Sequence, residues 1–431
     1  MLRTLLPARF GSASPLALAA ALAAAAMLGT AFTPAEAQQR RQQQQAQPAA
    51  EQQQPSNSEA FVAAYQPVAA IVSTEGADLA PARAQLDQVY AAISTPDDRH
   101  AAGNLALVIG TRLSDPVLQR RGIELMLESG RVEPERLGQF HYNLGTLAYD
   151  ARDWAVARRS IEAATAAGYQ QADVEGLIAE TYFGEGQNAQ GLTYLRGVIE
   201  QRLAAGQTVS PAWVRRGLSV AYNANMAQEA GEWSALLVAN EPTQQNWLAA
   251  LQVIAATNDL DPQAQLDLLR LMMQTGSLTE RNLYETYVEA ADPRIMSNEV
   301  DRVLAAGLQQ GVFTSGDSFY TDVKRIVDER KATDRREAPQ LAAEARSSAQ
   351  GRQAMSAGDV FLSLQDYAQA EAMFALALEK GGVDRDRALT RLGIAQSHQN
   401  KNAEAKATFA QVSGARAPVA RMWTAYVDTQ A

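Results

Sequence analysis

The chain has 431 residues and a net charge of −10, with 47% apolar residues, 6% aromatics, three histidines and no cysteine. Without cysteine there are no disulfides, thiolate metal sites or cysteine nucleophiles, and the acidic balance argues against binding nucleic acid by phosphate neutralisation. An apolar fraction dominated by Ala and Leu favours helices over a β-sandwich or barrel.

The N-terminus carries Arg3 and Arg9, then a short uncharged run of Leu, Ala and Met from Pro15 to Leu28, then Ala35-Glu36-Ala37. A basic start, a short apolar core and small residues at the cleavage positions are the layout of a secretory signal peptide over residues 1–37. The apolar run is shorter than the roughly 20 residues that span a bilayer, so no membrane span is expected after cleavage following Ala37. Neither a lipid-anchor cysteine nor paired arginines accompany it. Residues 38–58 hold the runs Gln42-Gln43-Gln44-Gln45 and Gln52-Gln53-Gln54 with Pro48 and Pro55, and no Leu, Ile, Val or Phe. Such a segment cannot offset the entropy of ordering and reads as a disordered tether, either a plain spacer or a Gln-rich binding arm.

From Glu59 onward apolar residues recur every three or four positions, the period of amphipathic helices. A capping residue followed by Pro predicts helix starts at Thr95-Pro96, Asp115-Pro116, Ser210-Pro211, Asp261-Pro262, Asp292-Pro293 and, less fully, Glu133-Pro134. Gly130, Gly168, Gly206, Gly276 and Gly381 predict stops. Short gaps between stop and start predict antiparallel hairpins.

The hairpins repeat. Leu144-Gly145 is followed by Ala157, Ile161 and Ala164, and Ile178-Ala179 by Gly191, Leu195 and Val198. Toward the C-terminus, Ala357-Gly358 is followed by Ala370, Phe374 and Ala377, and Leu392-Gly393 by Ala405, Phe409 and Val412. Small residues let two helix backbones approach, and the large ones fill the space beside them. Asp153-Trp154 and Asp366-Tyr367 mark the starts of second helices. These residues resemble the tetratricopeptide repeat, a helix hairpin of about 34 residues, most clearly over 138–171, 172–205, 351–384 and 386–419. Residues 213–238, 247–273 and 279–311 carry degenerate versions. Leu86, Val89 and Ile93, and Leu118, Ile123 and Met126, mark further helix stripes in 59–137. The resemblance implies an all-α, right-handed superhelical solenoid of antiparallel helix hairpins.

Residues 319–346 depart from the pattern. Lys324-Arg325, Arg330-Lys331 and Arg335-Arg336 alternate with Asp328-Glu329, Asp334 and Glu337, which predicts a long solvated helix ahead of Pro339, held by i,i+4 pairs, or a basic docking site. The expected organisation is an N-terminal repeat lobe over 59–318, a charged connecting helix over 319–350 and C-terminal repeats over 351–431.

The chain has no Gly-rich phosphate loop, zinc-protease or nucleophile-elbow motif and no calcium loop, and His100, His141 and His398 are far apart, so no catalytic residue, metal or cofactor is expected. Carboxylates such as Asp97-Asp98 read as helix caps. The solenoid that the resemblance implies lines a concave groove with its first helices, the surface on which such proteins take peptides or other chains. The residues placed to face it are Gln139, Tyr142, Asn143, Thr146, Tyr149 and Asp150, then Asp173, Glu180 and Phe183, and in the C-terminal pair Arg352, Met355, Asp359, Arg387, Thr390 and His398. Some relatives grip a terminal carboxylate with Lys and Asn there. Tyr142 and Thr146 occupy two of those places, so that clamp is not expected. The function this suggests is a non-catalytic periplasmic scaffold that binds a protein or peptide in its groove, in envelope assembly, secretion or TonB-type energy transduction. Residues 247–311 are similar to periplasmic repeat proteins of TonB-type systems. The alternatives are a self-associating structural envelope protein, hence a homo-oligomer, and a glycan-acting enzyme.

Overall fold

The structure, a computed structural model, describes residues 57–170 and 173–430. The expected export signal and nearly all of the Gln-rich segment lie outside the described residues. Within them every regular element is helical. The chain forms two compact units that divide between Val198 and Ile199, inside one helix rather than at the charged segment.

The N-terminal unit contains α1 (Glu59–Ser73), two short helices α2 (Ala80–Ala84) and α3 (Leu86–Ala91), then α4 (Pro96–Arg112), α5 (Pro116–Glu128), α6 (Pro134–Asp150), α7 (Trp154–Ala166), α8 (Val174–Gly184) and the start of α9 (Asn188–Ala204). Consecutive helices pack on one another, and glycines show why they can. A Cβ on Gly122 would stand 2.6 Å from the Gly103 carbonyl oxygen, and one on Gly110 would stand 2.7 Å from the Gln119 backbone nitrogen. Gly103 thus meets the late part of α5 and Gly110 the early part, so the pair is antiparallel. Gly138 against Tyr169 and Gly145 against Ile161 give α6 and α7 the same sense. The core here divides into separate clusters, one around Phe61, Leu86 and Ile109, one around Ile123 and Phe140, and one around Ile161, Val174 and Ile178.

The start of the helical body is tied down by one carboxylate. The fully buried Asp98 accepts bonds from the backbone N–H and hydroxyl of Ser58 (both 2.9 Å), from the same groups of Ser94 (3.1 and 3.0 Å) and from the Thr95 N–H (3.0 Å). Thr95 and Asp98 also form a capping box on α4.

The C-terminal unit continues with α10 (Pro211–Asn223), α11 (Ala227–Asn240), α12 (Gln244–Thr257), α13 (Pro262–Gln274), α14 (Arg281–Ala291), α15 (Ser297–Gln309), α16 (Ser318–Ser347), α17 (Gly351–Ser363), α18 (Tyr367–Lys380), α19 (Arg385–Ser397), α20 (Asn402–Phe409), a 3-10 turn (Gly414–Arg416) and α21 (Ala417–Thr429). The small–large pairing recurs with one spacing: Gly217 packs on Trp233, Gly358 on Phe374 and Gly393 on Phe409, as Gly145 does on Ile161. In each case the partner lies sixteen positions on, across the hairpin. The unit has one continuous core, from Val238 to Val427. Its last helix, α21, returns to pack on α11, α12 and α13, so the unit closes on itself.

Asp115 and Asp261 cap helices with Pro at the first turn, as expected, whereas Ser210 and Glu133 precede Pro without a side-chain cap bond. Asp292-Pro293 starts no helix. Asp292 ends α14 with φ 52°, its N–H returning to Val288 and Glu289, and its carboxylate accepts from the Arg294 N–H in a turn. The charged helix α16 differs from expectation in two respects. It runs through Pro339, which lies on the exposed side with Arg335, the residue whose carbonyl loses its helical donor to the proline. It also buries Val323, Val327, Asp334, Ala338, Ala342 and Ala345 against α15 and α17, so it is part of the C-terminal unit and not a free connector. Its expected i,i+4 pairs are present as Lys324–Asp328, Arg325–Glu329 and Arg330–Asp334.

Candidate partner-binding surfaces

In the N-terminal unit, α6 presents Gln139, Asn143, Thr146 and Asp150 along one face, one turn apart. Gln139 and Asp150 are exposed, and Asn143 and Thr146 are half-buried. The Gln139 amide donates to Asn143 Oδ1 at 2.8 Å, and the Thr146 hydroxyl donates to the Asn143 carbonyl at 3.0 Å. Partial desolvation lifts the Asp150 carboxyl above its ordinary value. The two tyrosines of the same helix are packed from the side: Tyr142 stacks on Tyr169 with ring centres 4.6 Å apart, and Tyr149 meets Trp154 edge-on at 5.2 Å. On α8, Asp173 is the N-cap and accepts from the Gly176 N–H at 2.8 Å. Glu180 is buried, and the Phe183 ring fills the space left by the missing side chain of Gly191. The polar face of α6 is therefore open with an aromatic flank, and Glu180 and Phe183 serve the hairpin interior instead.

The corresponding face of the C-terminal unit is filled by the chain itself. Asp267 on α13 is fully buried and accepts from Arg270 Nη1 (2.7 Å), Arg391 Nε (3.1 Å) and Arg416 Nη1 (2.9 Å). Arg391, also fully buried, donates to Asp359 at 2.5 Å and to Gln263 at 2.7 Å. Arg387 donates to the other Asp359 oxygen at 2.9 Å. Arg270 forks onto Glu299 at 2.7 and 2.8 Å, and the Tyr287 hydroxyl donates to the same carboxylate at 2.8 Å. Arg416 reaches Asp261 at 3.0 Å, and the Trp423 indole N–H donates to the Asp267 carbonyl at 2.9 Å. Buried Asp267, Glu299 and Asp359 are thus matched by buried Arg270, Arg391 and Arg416.

Burial works against the charges of Asp267, Glu299 and Arg270, and their partners outweigh it. Arg391, Arg270 and Arg416 hold the Asp267 carboxyl below its ordinary value, Arg270 does the same for Glu299, and Glu299 and Asp267 raise Arg270 well above its own. Burial and the adjacent Glu299 raise the Tyr287 phenol.

Of the groove residues expected in this unit, Asp359 and Arg387 are consumed by that network, and Met355 and Thr390 are buried. They do not face an open groove: Asp359 is tied through Arg391 to Asp267 on α13, which Arg416 of the 3-10 turn also binds, and the Met355 and Thr390 side chains are packed inside. Arg352 alone is exposed. His398 is stacked on Tyr367 (ring centres 4.4 Å apart) and meets Trp423 edge-on. Burial first, then Arg270 and Arg302, lowers its pKa to about 4, against a smaller opposing effect of Glu299.

The network was not visible in the motifs, since Arg391 and Arg416 lie 124 and 149 positions from Asp267. The available signal was the placement of Asp267 and Arg270 within Leu266–Met273, a stretch otherwise apolar on all sides. Among the described residues no group of three or more His, Asp or Glu side chains could hold a metal ion, and no helix is long and apolar enough to cross a membrane.

No protein-family model and no curated protein matches the chain. Among solved structures it is similar to a Rap protein complexed with competence and sporulation factor, at 13% identity over 83% of this chain and 93% of that one with a TM-score of 0.23. It is also similar to a chain of the Naa15/Naa10 assembly bound to HypK-THB, at 14% identity over 79% of this chain and 62% of that one with a TM-score of 0.24. Scores this low leave the helical-repeat fold resting on the hairpin packing itself.

Proposed function

We propose that the protein is an exported, non-catalytic helical-repeat scaffold whose N-terminal unit docks a protein or peptide partner. One contrast carries this reading. The face of α6 keeps polar and aromatic side chains at the surface, whereas the matching side chains of the C-terminal unit are spent on an internal charge network. An array of hairpins that leaves a graded polar–aromatic surface along its first helices suits peptide recognition, with Asn143 and Gln139 supplying backbone hydrogen bonds and Tyr142, Tyr149 and Trp154 the apolar flank. The C-terminal unit, its inner charges paired with one another, then acts as a rigid body. The periplasmic setting rests on the sequence of residues 1–37, and the process served is one of the cell envelope.

The test is affinity purification from the native envelope with the wild-type chain and with Asn143→Arg plus Asp150→Arg, read by quantitative mass spectrometry. The reading expects a protein enriched by the wild type and lost with the double variant at unchanged helicity. Equal recovery by both chains would place binding elsewhere.

A further inference from the structure

The N-terminal unit has a cleft on the side of α6 away from the docking face. His141 stands about 160° around that helix from Asn143 and lines an opening of about 250 Å³ shared with α5 and α7. That is smaller than the pockets that hold drug-sized ligands, so the occupant is small. Leu127, Leu144 and Ala163 give the cleft its apolar lining. Its polar lining differs from the rest of the unit. Arg120 holds Glu124 and Asp153, and Arg158 holds Thr181 and Glu185. Glu128, His141, Arg159 and Ser160 line the cleft, and among the described residues none of the four has a hydrogen-bond or ion-pair partner. Ser160 is only 6% exposed, and a hydroxyl buried to that degree ordinarily has a partner. Glu128 on α5 and Arg159 on α7 are exposed charges of opposite sign that share the opening without pairing with each other. Arg159 acts on Asp153 only from a distance, and Asp153 is already held by Arg120. Glu124, the other carboxylate here, is taken by Arg120 and Arg121. Burial holds the His141 imidazole below its ordinary pKa, so it adds no charge at neutral pH.

We propose that this cleft binds a free α-amino acid with an apolar side chain, such as leucine. The carboxylate pairs with Arg159 and accepts from the Ser160 hydroxyl, and the ammonium pairs with Glu128. The side chain lies on Leu127, Leu144 and Ala163, with the His141 imidazole as a further hydrogen-bonding group. The two oppositely charged walls select a dipolar occupant. An anion alone would leave Glu128 unmatched, a cation alone would leave Arg159 unmatched, and an uncharged apolar molecule would leave both and Ser160 unserved. The site is separate from the docking face of α6 and does not depend on a partner binding there.

The test is isothermal titration calorimetry of the full chain with leucine, leucinamide and N-acetylleucine. Leucine is expected to bind, and the two derivatives, each lacking one of its charges, to bind about tenfold more weakly. Arg159→Gln is expected to weaken leucine by about the same factor and to leave the weak binding of leucinamide unchanged, because leucinamide has no carboxylate to lose. Glu128→Gln is expected to do the converse, weakening leucine and leaving N-acetylleucine unchanged. Both positions are exposed, and circular dichroism confirms that each variant is folded. Glu379→Gln, at an exposed position of the C-terminal unit, is expected to leave leucine binding as it is. Absence of leucine binding, equal binding of the three ligands, or leucine binding that survives both Arg159→Gln and Glu128→Gln overturns the inference. None of these results bears on whether a partner docks along α6.

Discussion

Arg391 and Asp267 are 124 positions apart in sequence, yet their side chains meet at 3.1 Å with neither exposed to solvent. The pair joins α19 to α13 and, through Arg416, to the turn ahead of α21. Removing the carboxylate in Asp267→Ala leaves three buried guanidiniums, Arg270, Arg391 and Arg416, with only Glu299, Asp359 and Asp261 to balance them, which costs about 3–5 kcal/mol. Urea unfolding should show that loss in the transition of the C-terminal unit, followed by the fluorescence of the buried Trp423. A loss below about 1 kcal/mol would mean the network is dispensable.

The glycine–aromatic crossings make opposite predictions at two glycines. A Cβ on Gly358 would sit 2.5 Å from the Phe374 ring, so Gly358→Ala should destabilise by about 1–3 kcal/mol despite the helix propensity gained. Adding Phe374→Leu should recover part of that. Gly197, within α9, has no atom within 4 Å of its would-be Cβ, so Gly197→Ala should stabilise by about 0.5–1 kcal/mol. Thermal melts of the three variants decide between packing and propensity as the reason each glycine is there.

The Asp98 clamp predicts where the helical body frays first. Its five accepted bonds tie Ser58 to the start of α4, and Asp98→Ala leaves several donors without a partner, at about 1–3 kcal/mol for each one that stays buried. Limited proteolysis should then cut within 59–73 far faster than in the wild type, with the C-terminal unit unaffected. Unchanged cutting would show that α1 is held by its apolar contacts alone.

Stability should fall in mild acid for an identifiable reason. His398 has its pKa lowered to about 4 in the folded chain, against about 6.5 when unfolded. The unfolded state therefore binds the proton first, so the contribution is fully present above pH 6.5 and is lost as the pH drops from 6.5 toward 4. At most about 3 kcal/mol is involved. His398→Phe, which can keep the stack on Tyr367, should flatten the stability profile between those limits. Below them the lowered carboxyls of Asp267 and Glu299 add a further loss in both chains.

Local rules were legible in the sequence and long-range closure was not. Asp153, Asp366 and Asp115 announced helix starts, and the recurrence of Gly145, Gly358 and Gly393 ahead of Ile161, Phe374 and Phe409 announced the hairpins, because caps and crossings depend on residues within one hairpin. Asp359 and Arg387 were placed on the inner face by the same repeat logic. That logic says nothing of what lies opposite, and the structure puts Asp267 of α13 and Arg416 there, joined to Asp359 through Arg391 of α19. Pro339 was expected to end the charged helix, but its solvent-facing position lets water satisfy the carbonyl it leaves behind. The α6 residues Gln139, Asn143, Thr146 and Asp150 lie on one surface face, as the helical period requires.

The central claim is that partners dock on the N-terminal unit along α6. Its most direct test is a photo-crosslinking amino acid placed at position 143 and, separately, at position 379, with irradiation in cells and mass spectrometry of the adducts. The account predicts a protein adduct at position 143 that is missing at 379. Adducts confined to position 379, or adducts at 143 made only with a second copy of the chain, would contradict it.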